Sequence, residues 1–190
     1  MTVPATQQAA DFHIPAEAIV DALGECGITH VFTVPDYVTL AVHQLLLEGY
    51  LPGVRVVECC TEDEAVTAAS AAWIGGAKPV VIMQNQGLHA CMNNLRGCGV
   101  EAMFPIFMIV GQMLREPTNV GRDPQQSRRP AVQVTERLLE AYNIPYFRLE
   151  TTDDLPTIEH ACRIAFIQSR PTAVLVGAPS RWRRKDVKDQ

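Results

Sequence analysis

A three-layer α/β sandwich, with a six-stranded and mainly parallel sheet covered by helices on both faces, is the fold this sequence predicts. Three observations carry that expectation. Apolar runs at residues 30–34, 54–60, 79–83, 105–110, 146–149 and 172–176 alternate with stretches of helical spacing. Runs such as PVVIM and PIFMIV are apolar throughout rather than at every second residue, as strands buried on both faces must be. The stretch from Val54 to Leu88 (VRVVECCTEDEAVTAASAAWIGGAKPVVIMQNQGL) holds a complete strand–helix–strand unit with a polar cluster after each strand.

Residues 1–12 read as a flexible tail, and a single domain is expected over 13–180. Pro15 suits a helix start, and Ile19, Val20, Leu23 and Cys26 recur at helical spacing up to Gly27. The first strand, from His30 to Val34, is cut by Pro35, and a helix is expected from Tyr37 to Leu47. After the second strand Thr61 stands at a helix N-cap, and Glu64 three residues on completes a T-x-x-E capping box. Nearly every residue from Ala65 to Ala72 is small, and Gly75 and Gly76 mark the helix end. The third strand, Pro79 to Met83, runs into the polar cluster Gln84, Asn85, Gln86 and Gly87, and Leu88 to Cys98 is moderately helical. Beyond PIFMIV, residues 115–130 (REPTNVGRDPQQSRRP) form one long polar loop, read either as a functional lid or as a solvated excursion. Helices over 131–142 and 155–169 alternate with the last two strands, and residues 181–190 read as a basic tail.

Composition narrows the function. A net charge of −5 argues against non-specific nucleic-acid binding. No segment approaches the roughly 20 apolar residues of a membrane span, and the first residues lack the charged and apolar regions of a signal peptide, so a cytoplasmic protein is expected. The 6 cysteines include no C-x-x-C pair and read as scattered thiols rather than zinc ligands, so no metal site is expected within this chain.

Ligands of open α/β sheets sit outside the carboxyl ends of the strands. Glu62 and the cluster Gln84–Gly87 occupy two such ends, which makes them the expected site. Val34-Pro35-Asp36, Glu62 and Met83-Gln84-Asn85-Gln86-Gly87-Leu88, in this order and spacing, resemble the pyrimidine-binding (α) part of thiamine-diphosphate-dependent 2-oxo acid decarboxylases, in the sulfopyruvate and phosphonopyruvate decarboxylase group. The similarity runs through Thr135-Glu136-Arg137-Leu138-Leu139-Glu140 to the last strand. Two positions depart from that pattern: Tyr37 stands where the group has serine, and Ala65 follows the acidic cluster where it has glycine.

The resemblance implies a lyase that binds thiamine diphosphate and decarboxylates a small 2-oxo acid with an anionic tail. A carboligase half-site of the acetolactate synthase kind and a non-catalytic regulatory module of the same fold are the alternatives. In such a site a carboxyl group exchanges a proton with the pyrimidine ring nitrogen, so that the cofactor's own amino group can act as a base. Glu62 aligns with that glutamate. Glu64 is its rival but is needed by the capping box, and Glu58 lies within the strand. Asp36 is expected to face the reacting carbon, with a helix cap as its other reading. Pro35, Gln84, Asn85, Gln86 and Gly87 are expected to bind the cofactor, and His89 is either a proton carrier or structural. His43 and His160 read as packing or surface residues.

No G-D-G element for the cofactor's diphosphate occurs in the sequence. The resemblance therefore implies an α subunit whose partner, a diphosphate-binding β subunit, holds the diphosphate with Mg2+. A hetero-oligomer is expected, with self-association when the chain is alone. Arg115, Arg122, Arg128 and Arg129 in the long loop are candidates for the substrate's anionic tail, because guanidinium matches sulfonate and phosphonate oxygens.

Overall fold

The computed structural model describes residues 13–182. The tail expected over 1–12 and most of the basic tail, from 183 on, lie outside these residues. Six strands form one all-parallel sheet: β2 (His30–Thr33), β3 (Arg55–Glu58), β4 (Pro79–Gln84), β5 (Phe107–Gly111), β6 (Tyr146–Leu149) and β7 (Thr172–Val176), in the order β3-β2-β4-β5-β7-β6. A small second sheet pairs β1 (Ile14–Pro15) with β8 (Ser180–Arg181). The domain thus reaches one residue into the segment read as tail, because Arg181 pairs with Pro15; next to it Ser180 donates its backbone N–H and its hydroxyl to the Val38 carbonyl (2.7 and 2.8 Å).

Both faces are covered because neighbouring residues of each strand point to opposite sides. Val31, Ile82, Ile109 and Val174 pack with helices α1 (Ala16–Glu25), α2 (Leu40–Leu47) and α7 (Pro156–Gln168). Phe32, Met83, Met108 and Leu175 pack with α3 (Glu62–Ile74), α4 (Asn85–Ala90), α5 (Met92–Asn94) and α6 (Pro130–Ala141). A π-helical turn, Leu95–Glu101, continues α5. The chain leaves β2 for the edge strand β3 and returns on the other side of β2 to make β4. The strand order reverses between β2 and β4, and a ligand crevice belongs outside their carboxyl ends.

Two boundaries differ from expectation. Helix α2 begins at Leu40 instead of Tyr37, because the Asp36 carboxylate takes the backbone N–H groups of Val38 (2.6 Å) and Thr39 (3.1 Å) and holds 37–39 in a turn. The polar cluster after β4 is not a loop, since Gln84 ends the strand and Asn85, Gln86 and Gly87 are the first turn of α4. Asn85 makes that turn possible, its Oδ1 accepting from the Gln86 N–H at 3.0 Å.

Candidate functional site

The carboxyl ends of β3, β2, β4 and β5 lie side by side and carry Glu62, Asp36, Gln84–Gly87 and Gly111–Gln112. Glu62 is the first residue of α3. Thr61 caps that helix by accepting from the Glu64 N–H (3.4 Å), and Glu64 reaches back to accept from the Cys60 N–H (2.7 Å). Glu58 meets His43 Nε2 at 3.2 Å. Among the described residues the Glu62 carboxylate makes no hydrogen bond or ion pair, so of these three glutamates it alone has no protein partner.

Gly87 lies directly against it. A Cβ at position 87 would land inside the Glu62 carboxyl group. The absent side chain thereby lets the first turn of α4 close over Glu62 and form one wall of a narrow cradle. Gly87→Ala is expected to push the carboxylate out of place and to lower the activity of the assembled enzyme by about 10²-fold, the cost of a misplacement near 1 Å. The check is the steady-state rate, with circular dichroism to establish that the fold persists.

Asp36 is buried, and its carboxylate accepts from Val38 N–H, Thr39 N–H and the Thr39 hydroxyl. Its turn therefore fixes its position rigidly. Gly111 packs against it so closely that a Cβ there would sit 2.8 Å from Asp36 Oδ1. Pro35 leads into the turn, and Tyr37 is 69% exposed at the edge of the crevice.

Gln112, which no sequence signal singled out, follows Gly111 and is only 2% exposed. Its Oε1 accepts from Arg115 (2.9 Å), whereas its Nε2 is a buried donor without a partner. The Thr33 hydroxyl, at the end of β2, is likewise buried and unpartnered. Such groups cost free energy unless something hydrogen-bonds them.

Of the cluster after β4, Gln84 is half-buried, Asn85 is buried with its amide toward the Ala131 carbonyl (3.4 Å), and Gln86 is exposed. His89 links α4 to α6. The Thr135 hydroxyl donates to the Ala131 carbonyl (2.7 Å), so at 3.1 Å it accepts from His89 Nε2–H. Burial pushes the His89 pKa down from 6.5, favouring the neutral ring. The unfolded state then binds more protons than the folded one between the two pKa values, and stability falls as the pH drops below about 6.5. Denaturant unfolding should show that acid loss, and His89→Gln should flatten it.

Cys91 lies under the site. Burial, and then the Glu62 charge, push its thiol up to about 12, so it stays protonated.

The four arginines of the long loop do not share one environment. The side chain of Arg115 is fully buried and ion-paired with Glu150; it also donates to Gln112 Oε1, Asn119 Oδ1 (3.0 Å) and the carbonyls of Asn119 (3.1 Å) and Arg122 (2.9 Å). Glu150 accepts in addition from the Gly121 N–H at 2.6 Å. Arg115, one of the four candidates for the substrate's tail, is thus committed to folding the loop. Arg122, Arg128 and Arg129 are exposed. Their segment is packed rather than solvated, since 3-10 turns occupy Pro117–Asn119 and Pro124–Gln126 and Glu116 is held by the Ser127 hydroxyl and the Arg128 N–H, both at 2.7 Å.

A parallel sheet with its switch point beside a partnerless glutamate and a glycine cradle defines a cofactor-binding α/β domain. Residues 15–133 match the thiamine pyrophosphate enzyme, N-terminal TPP binding domain, and the chain belongs to that family. It is 26% identical to the sulfopyruvate decarboxylase subunit alpha of Methanococcus maripaludis over 86% of this chain and 94% of that protein. It is 24% identical to the sulfopyruvate decarboxylase of Methanosarcina acetivorans over 88% of this chain and 41% of that protein. With the phosphonopyruvate decarboxylase of Streptomyces viridochromogenes it shares 29% identity over 79% of this chain and 36% of that protein. It therefore spans nearly all of the first relative and well under half of the other two.

The residues present fit the cofactor the family binds. Glu62 offers a carboxyl free to meet a ring nitrogen, Gly87 leaves the space that a Cβ would fill, and Gln112 offers an unpartnered amide donor. Among the described residues no helix is long and apolar enough to cross a membrane.

Proposed function

We propose that this chain is the pyrimidine-binding subunit of a thiamine-diphosphate-dependent decarboxylase acting on a small 2-oxo acid with an anionic tail, of the sulfopyruvate or phosphonopyruvate kind. The observation that carries the proposal is the partnerless Glu62 carboxyl facing Gly87 at the switch point of the sheet.

When bound, thiamine diphosphate supplies the carbon nucleophile and the electron sink for the pair released as carbon dioxide leaves. Glu62 would hold and return a proton at its carboxyl oxygen, the exchange that a pyrimidine ring nitrogen requires. Gly87 would leave room for the ring beside Glu62, and Gln84, half-buried at the end of β4, would lie next to it. Asp36, fixed by its turn, presents a localised negative charge close to Gly111.

A diphosphate-binding β subunit completes the site and holds Mg2+ with the diphosphate. Supporting this, the relative whose length this chain nearly matches bears the name subunit alpha. In addition, Tyr37, Leu40, Leu114 and Trp182 stand exposed at or near the carboxyl edge, an apolar set suited to a partner surface.

The substrate's tail falls to Arg122, Arg128 and Arg129, which are exposed on the loop that follows β5. Alanine at each of the three, in the assembled enzyme, is expected to leave KM for pyruvate nearly unchanged. At one position or more it should raise KM for sulfopyruvate or phosphonopyruvate by about tenfold, corresponding to a charge-assisted hydrogen bond near 1.5 kcal/mol. Equal effects on both substrate classes, or none, would remove the anionic tail from the proposal.

A further inference from the structure

The turn that carries Asp36 is held from outside by the last strand of the chain. Thr39 is the N-cap of α2, and its carbonyl accepts from the His43 N–H at 3.0 Å. The carbonyl of Val38, one residue earlier, therefore lies outside the helix, in a residue that is itself buried, and needs a donor from elsewhere. Ser180 supplies two. Its backbone N–H reaches that oxygen at 2.7 Å and its hydroxyl at 2.8 Å. Ser180 is buried, pairs in register with the fully buried Ile14 of β1, and follows the fully buried Ala178 by two residues. The donor is thus anchored in the domain, and the turn is fastened to it.

The amide of the same residue meets the carboxylate. Val38 N–H donates to Asp36 Oδ1 at 2.6 Å, so a single residue joins Ser180 on one side to Asp36 on the other. The bonds from Val38 and Thr39 to Asp36 lie within the turn and move with it. Gly111 supports the turn from the sheet, since a Cβ there would come within 2.8 Å of both Asp36 Oδ1 and Val38 Cβ. Ser180 holds it from the opposite end of the chain, 142 residues away.

We propose that Ser180 is a positioning residue whose hydroxyl fixes, through Val38, the place of the Asp36 carboxylate. The inference rests on the reading of Asp36 as the group facing the reacting carbon. Two donors on one carbonyl oxygen occupy both of its lone pairs and set its direction as well as its distance. Alanine at 180 removes the second donor, keeps the backbone bond and strands no buried donor, so the fold is expected to persist.

The first measurement needs no cofactor. Amide hydrogen exchange of the purified chain is followed by mass spectrometry, and Ser180→Ala is expected to speed it about fivefold over residues 36–40 while leaving 79–83 unchanged, the local loss of one hydrogen bond. In the assembled enzyme Ser180→Ala should lower kcat about fivefold and leave KM within about twofold, since only the reacting group is displaced. Asp36→Asn, whose amide oxygen can still accept from the turn, should lower kcat by about 10²-fold. In that background Ser180→Ala should cost nothing further, because a positioning residue loses its effect once the group it positions is gone. Unchanged exchange over 36–40, or a kcat loss that multiplies with that of Asp36→Asn, would overturn the proposal and leave Asp36 in the mechanism. Wild-type turnover in Asp36→Asn would instead remove Asp36 from the site, and the role of Ser180 with it.

Discussion

Glutamine in place of Glu62 is expected to lower 2-oxo acid decarboxylation by the assembled enzyme by about 10²–10⁴-fold, the usual worth of a positioned acid–base group. The amide keeps the size of the side chain but cannot exchange a proton with a ring nitrogen. Glu62 caps nothing and pairs with nothing among the described residues, so its loss should leave the thermal unfolding midpoint nearly unmoved. Glu64→Gln should do the opposite, because Glu64 holds the Cys60 N–H at the start of α3. It should cost some stability, about 1 kcal/mol for a cap, and little activity. Rate and melting midpoint measured together separate the two acids. Near-normal turnover in Glu62→Gln would move the acid–base role to another residue.

The second large effect is on stability. Arg115→Met leaves Glu150 buried and charged without its partner, which is expected to cost about 3–5 kcal/mol in denaturant unfolding. Replacing both residues, Arg115→Met with Glu150→Met, should recover much of that loss, because the uncompensated charge disappears with the pair. Space around the pair is tight, since a Cβ on Gly177 would lie 2.6 Å from Arg115 Nη1. The single variant should also free the 116–129 segment, since Arg115 holds the carbonyls of Asn119 and Arg122. A loss as small as that of an exposed salt bridge, under about 1 kcal/mol, would show that the pair does not hold the loop.

The sheet was legible because burial on both faces leaves its mark directly on sequence. A strand such as PVVIM has no polar residue to spare, and each of the six runs became a parallel strand. Glu62 could be singled out for a related reason, since the capping box assigned Glu64 a structural task and left its neighbour without one. Asp36 was legible in position but read two ways; its carboxylate holds the turn over 37–39, whereas the N-cap of α2 is Thr39. Other features depend on residues far apart in the chain. Nothing near Arg115 distinguishes it from Arg122, Arg128 or Arg129; the difference is Glu150, at the end of β6. Gln112 lies between the PIFMIV run and the polar loop and carried no signal, and only the packing of β5 against β4 and β7 buries it and strands its amide. The β1–β8 pair escaped because two-residue strands carry no periodicity.

The central claim is that this chain holds one half of a shared site, and reconstitution tests it most directly. The chain and a diphosphate-binding subunit, purified separately, would be assayed singly and mixed, with thiamine diphosphate, Mg2+ and sulfopyruvate or phosphonopyruvate, while carbon dioxide release is followed. The account predicts a folded, self-associated and inactive chain, an inactive partner, and decarboxylation that appears on mixing and disappears when Glu62→Gln replaces the wild-type chain. Full activity of the chain alone, or activity of the mixture that is indifferent to Glu62, would contradict it.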